Sequence, residues 1–166
     1  IETAAGKQVW RKTTGAYTVP FAIDISQKGN LIVVGSYEGS ISIFSREGKR
    51  VFYTQLLPEA SPDEPLKNFI PSGIFDLKIS PDGKYLLIKR CAFDFNAYII
   101  NTETGKIIAL PADDLISGTD IFKGDFFATG SYDRKIRVFD RKGILLWSQR
   151  IDGASKIKFS PDGNLY

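Results

Sequence analysis

The sequence contains no histidine and no methionine, and Cys91 is its only cysteine. A single cysteine forms no intramolecular disulfide. Without histidine the chain has neither a Cys/His zinc site nor the imidazole base of the common catalytic triads. Most familiar catalytic constellations are therefore excluded within these residues.

Strong charge of either sign is also missing. The 166 residues include 22 Lys and Arg against 19 Asp and Glu, a formal net charge of +3. This excess is too small to predict a nucleic-acid or anionic membrane partner unless the basic residues cluster. No apolar run reaches the roughly 18 residues of a transmembrane helix, and the first residues have no secretory-signal profile. We expect no transmembrane segment, and the compartment stays unknown.

The residues that are present repeat along the chain. Segments 22–50, 75–106 and 119–145 share the order apolar run, turn, apolar run, turn, apolar run, Gly turn, and a fourth copy starts at 155. Taking Ser26, Ser80, Phe122 and Ser160 as equivalent gives spacings of 54, 42 and 38 residues. A period near 40 residues is typical of propeller blades. The longer first spacing indicates an insertion at 57–71, where four prolines preclude a buried strand.

Each repeat predicts four short antiparallel strands, lettered a to d. The apolar runs are rich in β-branched and aromatic residues, and several alternate with polar ones. The Ser-Pro-Asp-Gly sequences at 80–83 and 160–163 are typical of tight turns. We therefore predict a structural role in these turns for Asp82, Gly83, Asp162 and Gly163. A large apolar residue follows a glycine by four positions in strand d, and we expect these residues to pack between blades: Trp10, Phe52 and Trp147.

The segments GKQVW (6–10), ISPDGKYLLI (79–88) and GSYDRKIRVFDRKGILLW (130–147) resemble the WD40-like and quinoprotein-like (PQQ-like) propeller repeats of bacteria and archaea. The resemblance covers nearly the whole chain and implies an all-β propeller of four-stranded antiparallel blades. The Gly-His and Trp-Asp dipeptides of standard WD40 repeats are absent, so their histidine-centred hydrogen-bond network cannot form.

On this basis 1–166 is expected to be a single propeller segment of about three and a half blades. It begins with a lone strand d and ends inside a strand, so we expect a fragment of a larger propeller, or copies that close on each other. The expected parts are a last strand of a preceding blade at 1–14, blade 1 at 15–56, the insertion at 57–71, blade 2 at 72–113, blade 3 at 114–151 and the start of blade 4 at 152–166.

Other candidate sites have a structural interpretation that we favour. Asp24, Asp76 and Asp120 recur at one position of strand a, which indicates architecture, and no calcium-binding loop is present. Cys91 follows two basic residues but has no histidine to activate it. The basic run around Arg137 is expected to be a solvated blade edge, with Arg137 pointing outward, because its cations lie at opposite ends of a strand.

Aromatic residues in the b-to-c turns are the better candidates for a binding site. Those turns open on the same side as the blade-to-blade connections, and exposed aromatics on loops are typical of interaction surfaces. The predicted partner-binding residues come from the three turns and the acidic insertion: Tyr37, Phe93, Asp94, Tyr132, Glu59, Asp63 and Glu64.

The sequence therefore favours a non-catalytic binding or scaffolding module for a protein partner, without cofactor or metal and without nucleic acid. An alternative is a fragment of a quinoprotein-type oxidoreductase or propeller hydrolase whose catalytic residues lie elsewhere. A third is a surface or filament subunit that self-associates through open blade edges.

Overall fold

The structure is a computed structural model that describes residues 8–12, 19–56, 73–90, 95–153 and 156–166. These residues contain no helix that is long and apolar enough to cross a membrane. They form twelve strands: β1 (Pro20–Ile25), β2 (Leu31–Ser36), β3 (Ser40–Ser45), β4 (Arg50–Gln55), β5 (Ile74–Ile79), β6 (Tyr85–Arg90), β7 (Asn96–Asn101), β8 (Ile107–Pro111), β9 (Ile116–Phe122), β10 (Phe126–Ser131), β11 (Lys135–Asp140) and β12 (Leu145–Arg150).

The strands make three four-stranded antiparallel sheets, each of four consecutive strands: β1–β4, β5–β8 and β9–β12. We call these sheets blades 1, 2 and 3. The first strand of each blade is its inner strand, and β1, β5 and β9 lie side by side. The predicted fold, an all-β propeller segment of four-stranded antiparallel blades, is confirmed.

Alternation along the strands decides which side chains reach the core. In β3, Ile41 and Ile43 are buried while Ser40 and Ser42 are half-buried on the opposite face. The a-to-b turn of blade 2 forms as its sequence predicts. The Gly83 amide donates to the Ser80 carbonyl at 2.9 Å, and Gly83 has a φ of 78°, a left-handed conformation that favours glycine.

Each blade has a front face toward the blade that follows it and a back face on the other side. The core between blades 1 and 2 joins the front face of blade 1 to the back face of blade 2, and its buried members include Val33, Ile41, Ile43, Leu77, Leu86 and Ile88. The core between blades 2 and 3 includes Leu87, Ile99, Leu110, Phe127 and Phe139. Residues 156–166 add a further layer on the front face of blade 3, where Ile157 packs with Ala128 and Val138.

The recurring aspartates of the inner strands reach across to the next layer. Asp24 accepts a hydrogen bond from the backbone N–H of Ile79 at 2.9 Å, and Asp120 accepts one from Phe159 at 2.7 Å. Asp76 accepts instead from the hydroxyl of Thr119 at 3.2 Å. Because these carboxylates accept hydrogen bonds from donors of the next layer, they link successive layers of the propeller at the inner edge.

The three strand-d aromatics lie in different surroundings. Trp10 packs on the back face of blade 1, with its ring 5.9 Å from that of Phe44, and its indole N–H donates to the Arg46 carbonyl at 2.7 Å. Phe52 packs partly buried against the core between blades 1 and 2. Trp147, on the outer strand of blade 3, keeps 43% of its surface exposed.

Candidate partner-binding surface

Two of the predicted binding residues lie at equivalent places on one side of the blades, which we call the upper side. Tyr37 and Tyr132 are 39% and 59% exposed in the b-to-c turns of blades 1 and 3. The backbone N–H of Tyr37 donates to the carbonyl of Val19 at 2.9 Å, and that of Tyr132 to the carbonyl of Leu115 at 3.0 Å. Each turn is thus fastened to the segment that leads into its inner strand.

Beside Tyr37 the structure brings two further aromatic rings to the upper side. The ring of Phe21 lies 4.6 Å from that of Phe75 and 6.1 Å from that of Tyr37. All three side chains are more than one-third exposed although they contact one another. We call Phe21, Tyr37 and Phe75 the upper aromatic cluster; it spans the junction of blades 1 and 2.

The sequence prediction missed Phe21 and Phe75, although a signal was present. The two positions are 54 residues apart, the same spacing that separates Ser26 from Ser80. An aromatic residue thus recurs near the start of the inner strand in blades 1 and 2, and the structure places both rings in one cluster.

The other predicted binding residues lie outside the described residues. Phe93 and Asp94 belong to the b-to-c turn of blade 2, and the acidic residues belong to the insertion: Glu59, Asp63 and Glu64. Their part in a binding surface stays a prediction. Cys91 also lies outside the described residues.

The b-to-c turn of blade 3 carries an ionic network. The Arg137 Nη2 donates to Asp133 at 2.6 Å and to Asp113 at 3.1 Å, and the Nζ of Lys135 lies 2.8 Å from Asp113. Only 8% of the Arg137 side chain is exposed, so the prediction that Arg137 points outward into solvent was wrong. Arg137 lies on the same face of β11 as Phe139, toward blade 2, because the carboxylates compensate its buried charge.

Asp133 is the centre of this network. Burial opposes its ionisation, but the hydrogen bond from Arg137 and those from the backbone N–H groups of Asp113 and Lys135 outweigh burial, so the pKa of Asp133 lies below its ordinary value. The carboxylate is therefore ionised at neutral pH and holds the turn, the connection before β9 and the strand β11 together.

The turn aspartates on the lower side make local contacts. Asp82 accepts from the hydroxyl of Ser80 at 2.6 Å and from the backbone N–H of Lys84 at 3.1 Å. Asp162 accepts from the Ser160 hydroxyl and from the side-chain amide of Asn164, and the hydrogen bond from Ser160 is the largest cause that lowers the pKa of Asp162. In the described parts of the chain, no group of three or more Asp, Glu or Cys residues is arranged to hold a metal ion.

Comparisons with known proteins agree with this architecture. Residues 121–140 match the family model of the WD domain, G-beta repeat (WD40). A solved structure of U3-55K is 17% identical with a TM-score of 0.66, and a crystal structure of RRP9 WD40 repeats is 19% identical with a TM-score of 0.65. Each similarity covers 89% of this chain and 44% of the other. No curated protein sequence matches the chain.

At these identities the structural likeness shows the fold, a WD40-type β-propeller segment, and the chain spans less than half the length of these two structures. The quinoprotein-like and prokaryotic parts of the resemblance stay predictions.

Proposed function

We propose that this chain is a non-catalytic propeller module that binds a protein partner through its upper side. The proposed surface consists of the upper aromatic cluster, Tyr132 and the predicted residues of the blade 2 turn and the insertion: Phe93, Asp94, Glu59, Asp63 and Glu64. The likeness to WD40 propellers supports a protein-interaction scaffold, although a fold alone does not determine a partner.

The observation that carries the proposal is the upper aromatic cluster. Aromatic residues are enriched at the centre of protein interfaces because they bury a large area at little conformational cost. Phe21 is 51% exposed, yet two neighbouring rings and the hydrogen bond from Tyr37 to Val19 hold its surroundings in place. Such a preorganised surface loses little conformational entropy when it binds an apolar side chain of a partner.

The test is a quantitative capture experiment. The wild-type protein and the triple variant Phe21→Ala, Tyr37→Ala, Tyr132→Ala are immobilised at equal density, and proteins retained from a lysate of the source organism are quantified by mass spectrometry. The control is Phe126→Ala, which removes an aromatic residue that is 40% exposed at the other end of the strands.

We expect at least one protein to be retained by the wild type and by Phe126→Ala, and to fall by about tenfold or more with the triple variant, as for loss of interface hot spots. If every retained protein bound all three forms equally, the upper side would not be the binding surface. The enzymatic alternative and self-association through open blade edges stay predictions.

A further inference from the structure

The b-to-c turn of blade 3 carries an arginine in a backbone conformation that favours glycine. Arg134 has a φ of 64°, in the left-handed region that residues with a Cβ atom seldom adopt. Blade 1 has Gly39 at the equivalent position, 95 residues earlier, and the φ of Gly39 is 82°. The two turns therefore have a similar backbone conformation, and only blade 3 places a long side chain on it.

The hydrogen bonds of the two turns show that the fold imposes this conformation. The backbone N–H of Arg134 donates to the Ser131 carbonyl at 3.1 Å, as that of Gly39 donates to the Ser36 carbonyl at 3.2 Å. The Arg134 carbonyl accepts from the backbone N–H of Ile151 at 2.8 Å. Arginine at this position therefore carries a conformational cost that glycine would avoid.

The side chain of Arg134 does not offset this cost within the described parts of the chain. It is exposed, and no described residue forms a hydrogen bond or an ion pair with its guanidinium. The carboxylates of the turn network contact other cations, because Asp133 accepts from Arg137 at 2.6 Å and Asp113 lies 2.8 Å from the Nζ of Lys135. Arg134 is thus a cation without a counterion among the described residues.

Arg134 lies at the tip of a turn and not on a face where blades stack. The turn joins the upper ends of β10 and β11, whereas the blades pack through the faces of their strands. Tyr132 is exposed on the same turn, two residues before Arg134. We call Tyr132 and Arg134 the Arg134 tip. Tyrosine and arginine are, with tryptophan, the residues that most often dominate the binding energy of protein interfaces.

We propose that the Arg134 tip binds an aspartate or glutamate side chain of the protein partner. This inference rests on the proposed function and specifies the chemistry of the partner. The Arg134 guanidinium is planar and can donate two parallel hydrogen bonds to one carboxylate, and the Tyr132 ring offers an apolar surface to the methylene groups of the same side chain.

The surrounding charges favour a single carboxylate over a phosphate or a nucleic acid. Asp133 belongs to the same turn, and Asp113 is exposed in the connection that this turn contacts. These two carboxylates repel a doubly charged phosphate group more strongly than a singly charged side chain. The Arg134 tip is therefore better suited to an unmodified acidic peptide than to a phosphopeptide.

The test starts from a phage-displayed library of random dodecapeptides. Selections on the wild-type protein, on Arg134→Gln and on Arg46→Gln are sequenced in parallel with the unselected library. Arg46→Gln is the matched control, because Arg46 is an exposed arginine in the c-to-d turn on the lower side of blade 1. We expect Asp or Glu to be enriched at one peptide position with the wild type and with Arg46→Gln, and not with Arg134→Gln.

The affinities of the selected peptides are then measured by fluorescence polarisation. Replacing the enriched acid by its amide should weaken binding to the wild type by about tenfold, as for loss of one charge-assisted contact. Arg134→Gln should weaken the acidic peptide by a similar factor and leave the amide peptide almost unchanged, because both changes remove the same contact.

Arg134→Gly separates the conformational cost from binding. Since glycine adopts the left-handed conformation without strain, this variant should raise Tm by about 2–4 °C and still lose the preference for the acidic peptide. A lower Tm would mean that a contact within the chain holds the Arg134 side chain, and would overturn the proposal.

The proposal would also be overturned by selections that yield no acidic enrichment on the wild type, or by an amide peptide that is weakened equally on the wild type and on Arg134→Gln. The upper-side triple variant distinguishes this failure from that of the proposed function. If the selected peptides lost affinity for the triple variant and not for Arg134→Gln, only the acidic assignment would be wrong. If they bound all variants like the wild type, the proposed function would fail as well.

Discussion

The back faces of blades 1 and 2 are built from equivalent residues but differ in what lies on them. In blade 2, Leu77 and Ile79 are 1% and 7% exposed because the front face of blade 1 covers them. Fifty-four residues earlier, Ile23 and Ile25 occupy the same positions in blade 1 and are 66% and 54% exposed. The same strand pattern is therefore buried where a neighbouring blade is described and exposed where none is described.

Blades 1 and 3 differ in a second way, at the b-to-c turn. The two blades align over their b and c strands with an offset of 95 residues, so Glu38 and Ser42 of blade 1 correspond to Asp133 and Arg137 of blade 3. Asp133 accepts a hydrogen bond from Arg137, whereas Ser42 is too short to reach Glu38 in the same way, and one Glu38 oxygen has no hydrogen-bond partner among the described residues. The turn carboxylate of blade 3 thus has a guanidinium partner within its own blade, and the equivalent carboxylate of blade 1 has none among the described residues.

The largest effect is expected from breaking the network of blade 3. Arg137→Ala leaves the Asp133 carboxylate buried without its guanidinium, and loss of one partner of a buried ion pair costs about 3–5 kcal/mol. The equivalent change in blade 1, Ser42→Ala, should alter the free energy of unfolding by less than about 0.5 kcal/mol. Urea denaturation of both variants measures the difference. If Arg137→Ala lowered the free energy of unfolding as little as Ser42→Ala, the Arg137 ion pair would contribute little to stability.

The next comparison is between Leu77, which blade 1 covers, and Ile23, the exposed residue at the equivalent position of blade 1. Leu77→Ala creates a cavity between blades 1 and 2 and should lower the free energy of unfolding by about 2–5 kcal/mol. Ile23→Ala removes a side chain that is already two-thirds exposed and should cost less than about 1 kcal/mol. The same urea titrations report both values.

An equally large loss for Ile23→Ala would show that the back face of blade 1 is covered in solution. In that case, repeating the titration over a range of protein concentrations would distinguish cover by a second copy, which depends on concentration, from cover within the chain.

Much of the fold could be predicted from the sequence because each blade repeats local signals. Alternation in β3 and the Ser-Pro-Asp-Gly turns act within a few residues, and the 40-residue period joins those units into blades. The predicted positions of Tyr37 and Tyr132 in the b-to-c turns follow from the same local pattern.

The wrong prediction for Arg137 has a different physical origin. Alternation assigned it to one face of β11 but did not show that blade 2 covers that face. Its counterion Asp113 is 24 residues away, in the connection between blades. Likewise, the contact between Phe21 and Phe75 joins two blades. Contacts between blades depend on how the sheets stack, and a single sequence carries that information only through equivalent positions of its repeats.

The smallest expected effect is the pH dependence of the stabilisation that Asp133 gives to the fold. Because the pKa of Asp133 in the folded chain lies below the ordinary value of 3.8, its ionised form stabilises the fold above about pH 4, and this stabilisation is lost as pH falls through the folded pKa. Asp133→Asn should therefore cost about 1–2 kcal/mol at pH 7, and the gap to the wild type should narrow between pH 4 and pH 3. Urea denaturation at pH 7, 5, 4 and 3 measures the gap.

In an Arg137→Gln background the same substitution should show a smaller pH-dependent gap, because the guanidinium that lowers the pKa is gone. A gap that stays constant from pH 7 to pH 3 would contradict the role of Asp133 as the ionised centre of the blade 3 turn.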